Sequence, residues 1–171
     1  MAVTDSSWPG YTAANALRGG LIYGGGDALA ALILGQFSLT RFAVMALLGA
    51  SLYALEVPNW FHLIDRLVPG RGALFATLSR TALALLYFNP LWIARHLAII
   101  QWASGSRPDW SLLSVGASAF LANIPLALAA NWLIQNRLPE SWRFTASALY
   151  SALMALYYAL SQVWFGSGTP G

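Results

Sequence analysis

Five apolar runs, each about as long as a bilayer is thick, follow one another between Ala13 and Phe165. No other feature restricts the chain so strongly. A hydrocarbon core about 30 Å thick takes roughly 20 residues of helix, and in lipid every backbone N–H and C=O must find its partner inside the protein. The runs cover 13–34, 42–61, 73–102, 110–134 and 141–165. Only 9% of the residues are charged, where a soluble domain has roughly 25%, and the mean hydropathy is +0.59. The sequence therefore predicts an all-α integral membrane bundle of four to five transmembrane helices. A polar N-terminal tail at 1–12 precedes one bundle domain at 13–165, and a C-terminal tail at 166–171 is flexible in composition.

The stretch Trp60-Phe61-His62-Leu63-Ile64-Asp65-Arg66-Leu67-Val68-Pro69-Gly70 stands between the second and third runs. An aromatic pair, an adjacent acid and arginine and a Pro-Gly stop predict the amphipathic end of a span followed by a sharp reversal. The spans on either side should form a hairpin about this corner.

Several functions are excluded early. The chain has no cysteine, so it has no disulfide, thiolate metal site or cysteine nucleophile. Its nine basic residues are all arginine and are scattered. Nothing suggests nucleic acid, and membrane lipids, anionic head groups among them, are the expected partners. The N-terminal residues show neither a secretory signal nor a cleavable presequence. Gly24-Gly25-Gly26-Asp27 lacks the following Gly-Lys-Ser/Thr of a phosphate-binding loop. Ser79, Ser104 and Ser161 have no histidine and carboxylate arranged to activate them, so hydrolase chemistry has no support. His62 and His96 could in principle ligate haem, chlorophyll or a metal. Neither has partner ligands at recognisable spacing, and the plain expectation is an interfacial histidine, no cofactor and no enzyme.

What remains is packing and charge within the spans. Ala16, Gly20, Gly24 and Ala28 recur every four residues on one face of the first run, a groove that lets a neighbouring helix approach closely. Asp27 falls near the same face and should point at a helix. Ionisable groups inside a membrane are costly enough that pairing is the default. Asp27 is expected to pair with Arg95 or Arg41, and Glu56 with Arg80. A competing reading makes Asp27, Arg95 and His96 the lining of an ion or proton path. Asn89-Pro90 should kink the third run, since proline lacks an N–H and biases its predecessor away from the helical region. Trp60, Trp92, Trp102, Trp110, Trp142 and Trp164 cluster toward run ends, as interfacial anchors do. With five spans the arginines divide six to three in favour of the N-terminal side, which predicts an N-terminus in the cytoplasm or matrix.

Taken in order, Gly26-Asp27, Arg41 nineteen residues before Trp60, the Trp60-Phe61, Asp65-Arg66 and Pro69-Gly70 elements of the corner, and Leu138-Pro139 with Arg143 resemble the small membrane proteins of the peroxisomal membrane protein twenty-two / Mpv-seventeen family. The resemblance implies a helical bundle in a mitochondrial inner or peroxisomal membrane, with a pore for ions or small metabolites among the family's functions. A bacterial inner membrane suits the arginine-only basic set equally. The chain departs from the family pattern where the latter is polar. Ala30 and Ala31 lie where the family has a glutamine, Arg80-Thr81 replaces an acid-glutamine pair, and Asn131 stands in the place of a further glutamine. Those losses favour an accessory structural subunit of a larger inner-membrane assembly, of respiratory or ATP synthase type, bound to protein partners. The pore is the alternative.

Overall fold

The computed structural model describes residues 11–70 and 72–165, the last eight of these by backbone alone. Most of both predicted tails, Arg71 and the side chains of Ser161 and Trp164 lie outside the described residues.

Among the described residues every regular element is helical. Helix α1 (Ala13–Ile33) is followed by α2 (Leu39–Leu48), which passes through a π-helical turn at Gly49–Tyr53 directly into α3 (Ala54–Leu67). Then come α4 (Leu74–Tyr87) and α5 (Pro90–Ala103), and after them α6 (Ser111–Arg137) and α7 (Glu140–Phe165). The described residues thus form a bundle of five rods. Three of these, Leu39–Leu67, Leu74–Ala103 and Ser111–Arg137, are long and apolar enough to cross a membrane, which makes this a membrane protein.

Local sequence explains the helix ends. Thr12 and Ser38 cap α1 and α2, accepting from the amides of Asn15 and Arg41, because their hydroxyls replace helix partners that the first amides lack. Helix α1 stops at Gly35, whose φ of +66° suits glycine. The Gly35 amide donates to the Leu32 carbonyl and that of Gln36 to Ala31, the paired bonds of a Schellman ending. Gly105 ends α5 in the same way, with amides 105 and 106 donating to Trp102 and Gln101. At Asn89-Pro90 the third rod breaks outright. Asn89 Oδ1 caps the amides of Leu91 and Trp92, and Pro90 takes the first helical position, where a missing N–H costs nothing. Ahead of α6, the hydroxyl and amide of Ser111 hold the Asp109 carboxyl below the usual carboxylate range.

The corner is the amphipathic end of a span before a reversal, as expected: α3 runs past the expected end of the second run at 61, through Asp65 and Arg66 to Leu67, and the reversal begins at Val68. One feature differs from expectation. Trp60 and Trp92 are not interfacial anchors. They lie half-buried inside the bundle, Trp60 donating to the Leu83 carbonyl at 3.0 Å and Trp92 stacked on His96 at 5.5 Å. Trp102, Trp110 and Trp142 do face outward.

Helix α1 packs against α2, the π turn and α7, while α6 packs against α4 and α5. These two walls meet through α3, which touches both. The core, including Tyr53, Val57, Phe61, Ile64, Ile134 and Phe144, gathers around α3 at one end of the bundle. Glycine permits the tightest approaches. A Cβ on Gly19 would lie 2.1 Å from the Gly49 carbonyl oxygen, and one on Gly26 would lie 2.5 Å from the Ala152 Cβ. Within the predicted stripe, Gly24 meets Ala46 and Gly20 meets Ala46 and Ala50, whereas Ala16 and Ala28 are only half-buried. Gly19 and Gly26, one position before Gly20 and two after Gly24, make the closer contacts and were not singled out by the four-residue spacing.

Candidate functional site

The other end of the bundle is hollow. A chamber of about 760 Å³ lies between the two walls, within the size range of small-molecule sites. Its floor includes Tyr23 and Ile134, which also belong to the core. Gln36, exposed in the α1–α2 loop, marks its mouth together with Asp27 and Arg41. Most of the wall is aliphatic and aromatic, with Phe88, Trp92 and Ile93 of the third rod on one side. Polar side chains reach the chamber from several helices: Asp27, Arg41, His96, Asn123, Asn131 and Ser147.

At the mouth, Arg41 grips Asp27 with two parallel bonds, Nε to Oδ2 at 2.8 Å and Nη2 to Oδ1 at 2.7 Å. Both side chains are largely buried, at 13% and 7% exposure. Bidentate geometry of this kind fixes orientation as well as charge. Of the two arginines expected near Asp27, Arg41 is the one that reaches it. Tyr53, fully buried in the π turn, bonds His96 Nδ1 at 2.8 Å, tying the first wall to α5.

Glu56 does not meet Arg80. It accepts from Arg95 Nη2 at 2.8 Å and Nη1 at 3.1 Å, and from the Tyr87 hydroxyl at 2.7 Å. The π turn is the physical reason. One residue more per turn rotates everything beyond it by about 100° relative to a continuous α-helix, so α3 presents Glu56 to α5.

Arg80 goes instead to the corner. It pairs with Asp65 and donates from Nη1 to the Val68 carbonyl at 2.8 Å. Arg143 Nη1 reaches the same carboxylate at 2.8 and 2.9 Å, and its Nε donates to the Leu138 carbonyl. One acid thus joins α3, α4 and α7. Arg66, its neighbour, is exposed, as are Pro69 and Gly70, with Gly70 at φ +87° forming the reversal. His62 lies 3.3 Å from Glu140. Among the described residues no three His, Asp or Glu side chains converge as a metal site would require.

Sequence reasoning passed over one side chain. Gln135, at 0% exposure, has neither amide atom bonded within the described structure. It lies about one helical turn beyond Asn131 on α6, next on the four-residue ridge that carries Asn123, Ala127 and Asn131 into the chamber. The signal was available in the spacing, since 123, 127, 131 and 135 recur every four residues.

The two intramembrane pairs should differ in strength. Asp27→Asn strands a mostly buried guanidinium and is expected to cost about 3 kcal/mol. Glu56→Gln leaves Arg95 beside the faces of Tyr53 and Trp92 and should cost less. Unfolding titrations of the two variants in the same detergent check the ranking, and equal losses would contradict it.

No family model, characterised protein or solved structure matches this chain.

Proposed function

We propose that this protein is a non-enzymatic, gated conduit for small molecules: a chamber open to one side of the membrane and shut on the other by the core around α3. The observation that carries this reading is the chamber, lined by polar groups from both walls where a packed core would otherwise be. Polar residues inside a membrane that face a cavity mark solute pathways more often than lipid contacts. Opening would part the two walls, which touch each other directly only lightly at α2–α5 and α6–α7. The arginine distribution supports a mouth facing away from the cytoplasm or matrix. The family resemblance favours the mitochondrial inner membrane, and a bacterial inner membrane fits the same features.

Reconstitution into liposomes with entrapped small solutes tests the reading. Ala127, 7% exposed and in the chamber wall, becomes a plug when changed to phenylalanine. Solute efflux above that of empty vesicles, lost in Ala127→Phe while the variant remains folded, is the expected result. Efflux at the level of empty vesicles for every solute tried would overturn it. The competing reading, an accessory structural subunit, predicts instead that native electrophoresis of a mild-detergent extract places the chain in a large assembly at stoichiometric ratio.

A further inference from the structure

We infer that the conduit admits small uncharged hydrogen-bonding solutes and excludes ions, and that Gln135 is the constriction through which they pass. The inference rests on the conduit reading above. Asn123, Asn131 and Gln135 follow one four-residue ridge of α6, which winds about 120° around the axis and advances about 18 Å over the 12 residues from first to last. That is more than half of a hydrocarbon core about 30 Å thick. Two of its rungs lie in the chamber, and the third lies beneath it, beyond the floor residue Ile134. Further along the chain, Arg143 Nε donates to the Leu138 carbonyl at 3.2 Å.

A primary amide offers both donors and an acceptor and carries no charge. Asn123 Oδ1 accepts from the Tyr150 hydroxyl at 3.2 Å and Asn131 Nδ2 donates to the Ala127 carbonyl at 2.9 Å. Each amide therefore keeps its opposite end to offer. Across from them stand Phe88, Trp92 and Ile93. Such a lining, polar along one edge and apolar along the other, suits a solute with the same two-sided character, such as a small polyol or amide. It offers a bare ion too few ligands to replace its water. Charge weighs against cations in particular: Arg41 neutralises Asp27 at the mouth, and among the described residues Arg80 and Arg143 meet on Asp65 at the far end; anions are kept out by the cost of shedding water against a largely apolar wall.

Gln135 supplies the independent argument. Burying an amide without partners is unfavourable, so for packing alone a leucine would serve better. In a conduit, the same amide takes over the hydrogen bonds of a solute that has shed its water.

The test compares wild type with Gln135→Leu in liposomes. Glycerol and urea entry is followed by light scattering, and potassium and chloride flux by electrode. Wild type should pass glycerol or urea and neither ion. Gln135→Leu should unfold at the same or a higher temperature and pass the solutes about tenfold more slowly, the effect of losing one hydrogen bond in a dry passage. Unchanged solute flux in Gln135→Leu, or a lowered unfolding temperature, would overturn the role of Gln135. Ion flux comparable to glycerol flux would overturn the solute class while leaving the conduit standing. Absence of flux of any probe from folded wild type would overturn the conduit itself. Asn131→Leu, about one turn up the same ridge, should slow the solutes in the same way, and unchanged flux in that variant would overturn the ridge as their path.

Discussion

Asp65→Asn is expected to lower the unfolding free energy by about 3–5 kcal/mol, the cost of leaving a buried charge without its partner. Among the described residues Arg80 and Arg143 both pair with Asp65, and these side chains are 2% and 0% exposed. Two guanidiniums held apart by one acid become two like charges in a medium that solvates neither. The damage should be widespread, because the acid ties α3 to both α4 and α7. Arg80→Met provides the internal control. It leaves the two bonds from Arg143 to Asp65 in place and turns an unbalanced cluster into a balanced pair, so it should cost clearly less. Equilibrium unfolding in mixed micelles, read by tryptophan fluorescence, measures both. An Asp65→Asn protein as stable as its parent would mean that the arginines do not depend on this carboxylate.

Gly19→Ala should lower stability by about 1–3 kcal/mol or more, since an added methyl in a filled contact forces the backbone to move. The obstacle is main chain: the new Cβ would lie 2.1 Å from the carbonyl oxygen of Gly49 and 2.8 Å from its carbon. No rotamer change relieves that clash, so α1 must withdraw from the π turn. Gly25→Ala, six residues along the same helix, meets nothing within 4 Å. It should raise stability by up to about 1 kcal/mol through the better helix propensity of alanine. Opposite signs for one chemical change in one helix are the result to look for. A neutral Gly19→Ala would show that the two glycines are not in contact.

These two sites show where a linear reading succeeds and where it stops. That Asp27, Glu56 and Arg80 would turn toward other helices follows from the solvent: lipid pairs with none of them. Which partner each takes depends on rotation about neighbouring axes, and here a π turn intervenes. Nothing in Gly49-Ala50-Ser51-Leu52-Tyr53 announces it by composition. Pro58 stands two residues past Glu56 in the same rod and lacks the N–H that would bond the Ala54 carbonyl. An extra residue in the turn before it is one way a helix absorbs such a loss. Four-residue spacing of small residues found the packing face of α1 within two positions. It could not say that Gly19 rather than Gly20 would make the closer approach to backbone, because that is set by how deeply Gly49 projects.

The sequence by itself determined an all-helical membrane bundle, an interruption of the third run at Asn89-Pro90, the Pro69-Gly70 stop and the inward direction of the charges. Each of these follows from interactions within a few residues or from the solvent outside. Only the tertiary structure decided that Asp65 would serve two arginines, that Glu56 would meet Arg95, and that the walls would part around a chamber with Gln135 beneath it. Those outcomes are set by the relative rotation and separation of helices far apart in the chain, and no local pattern encodes the space between two surfaces.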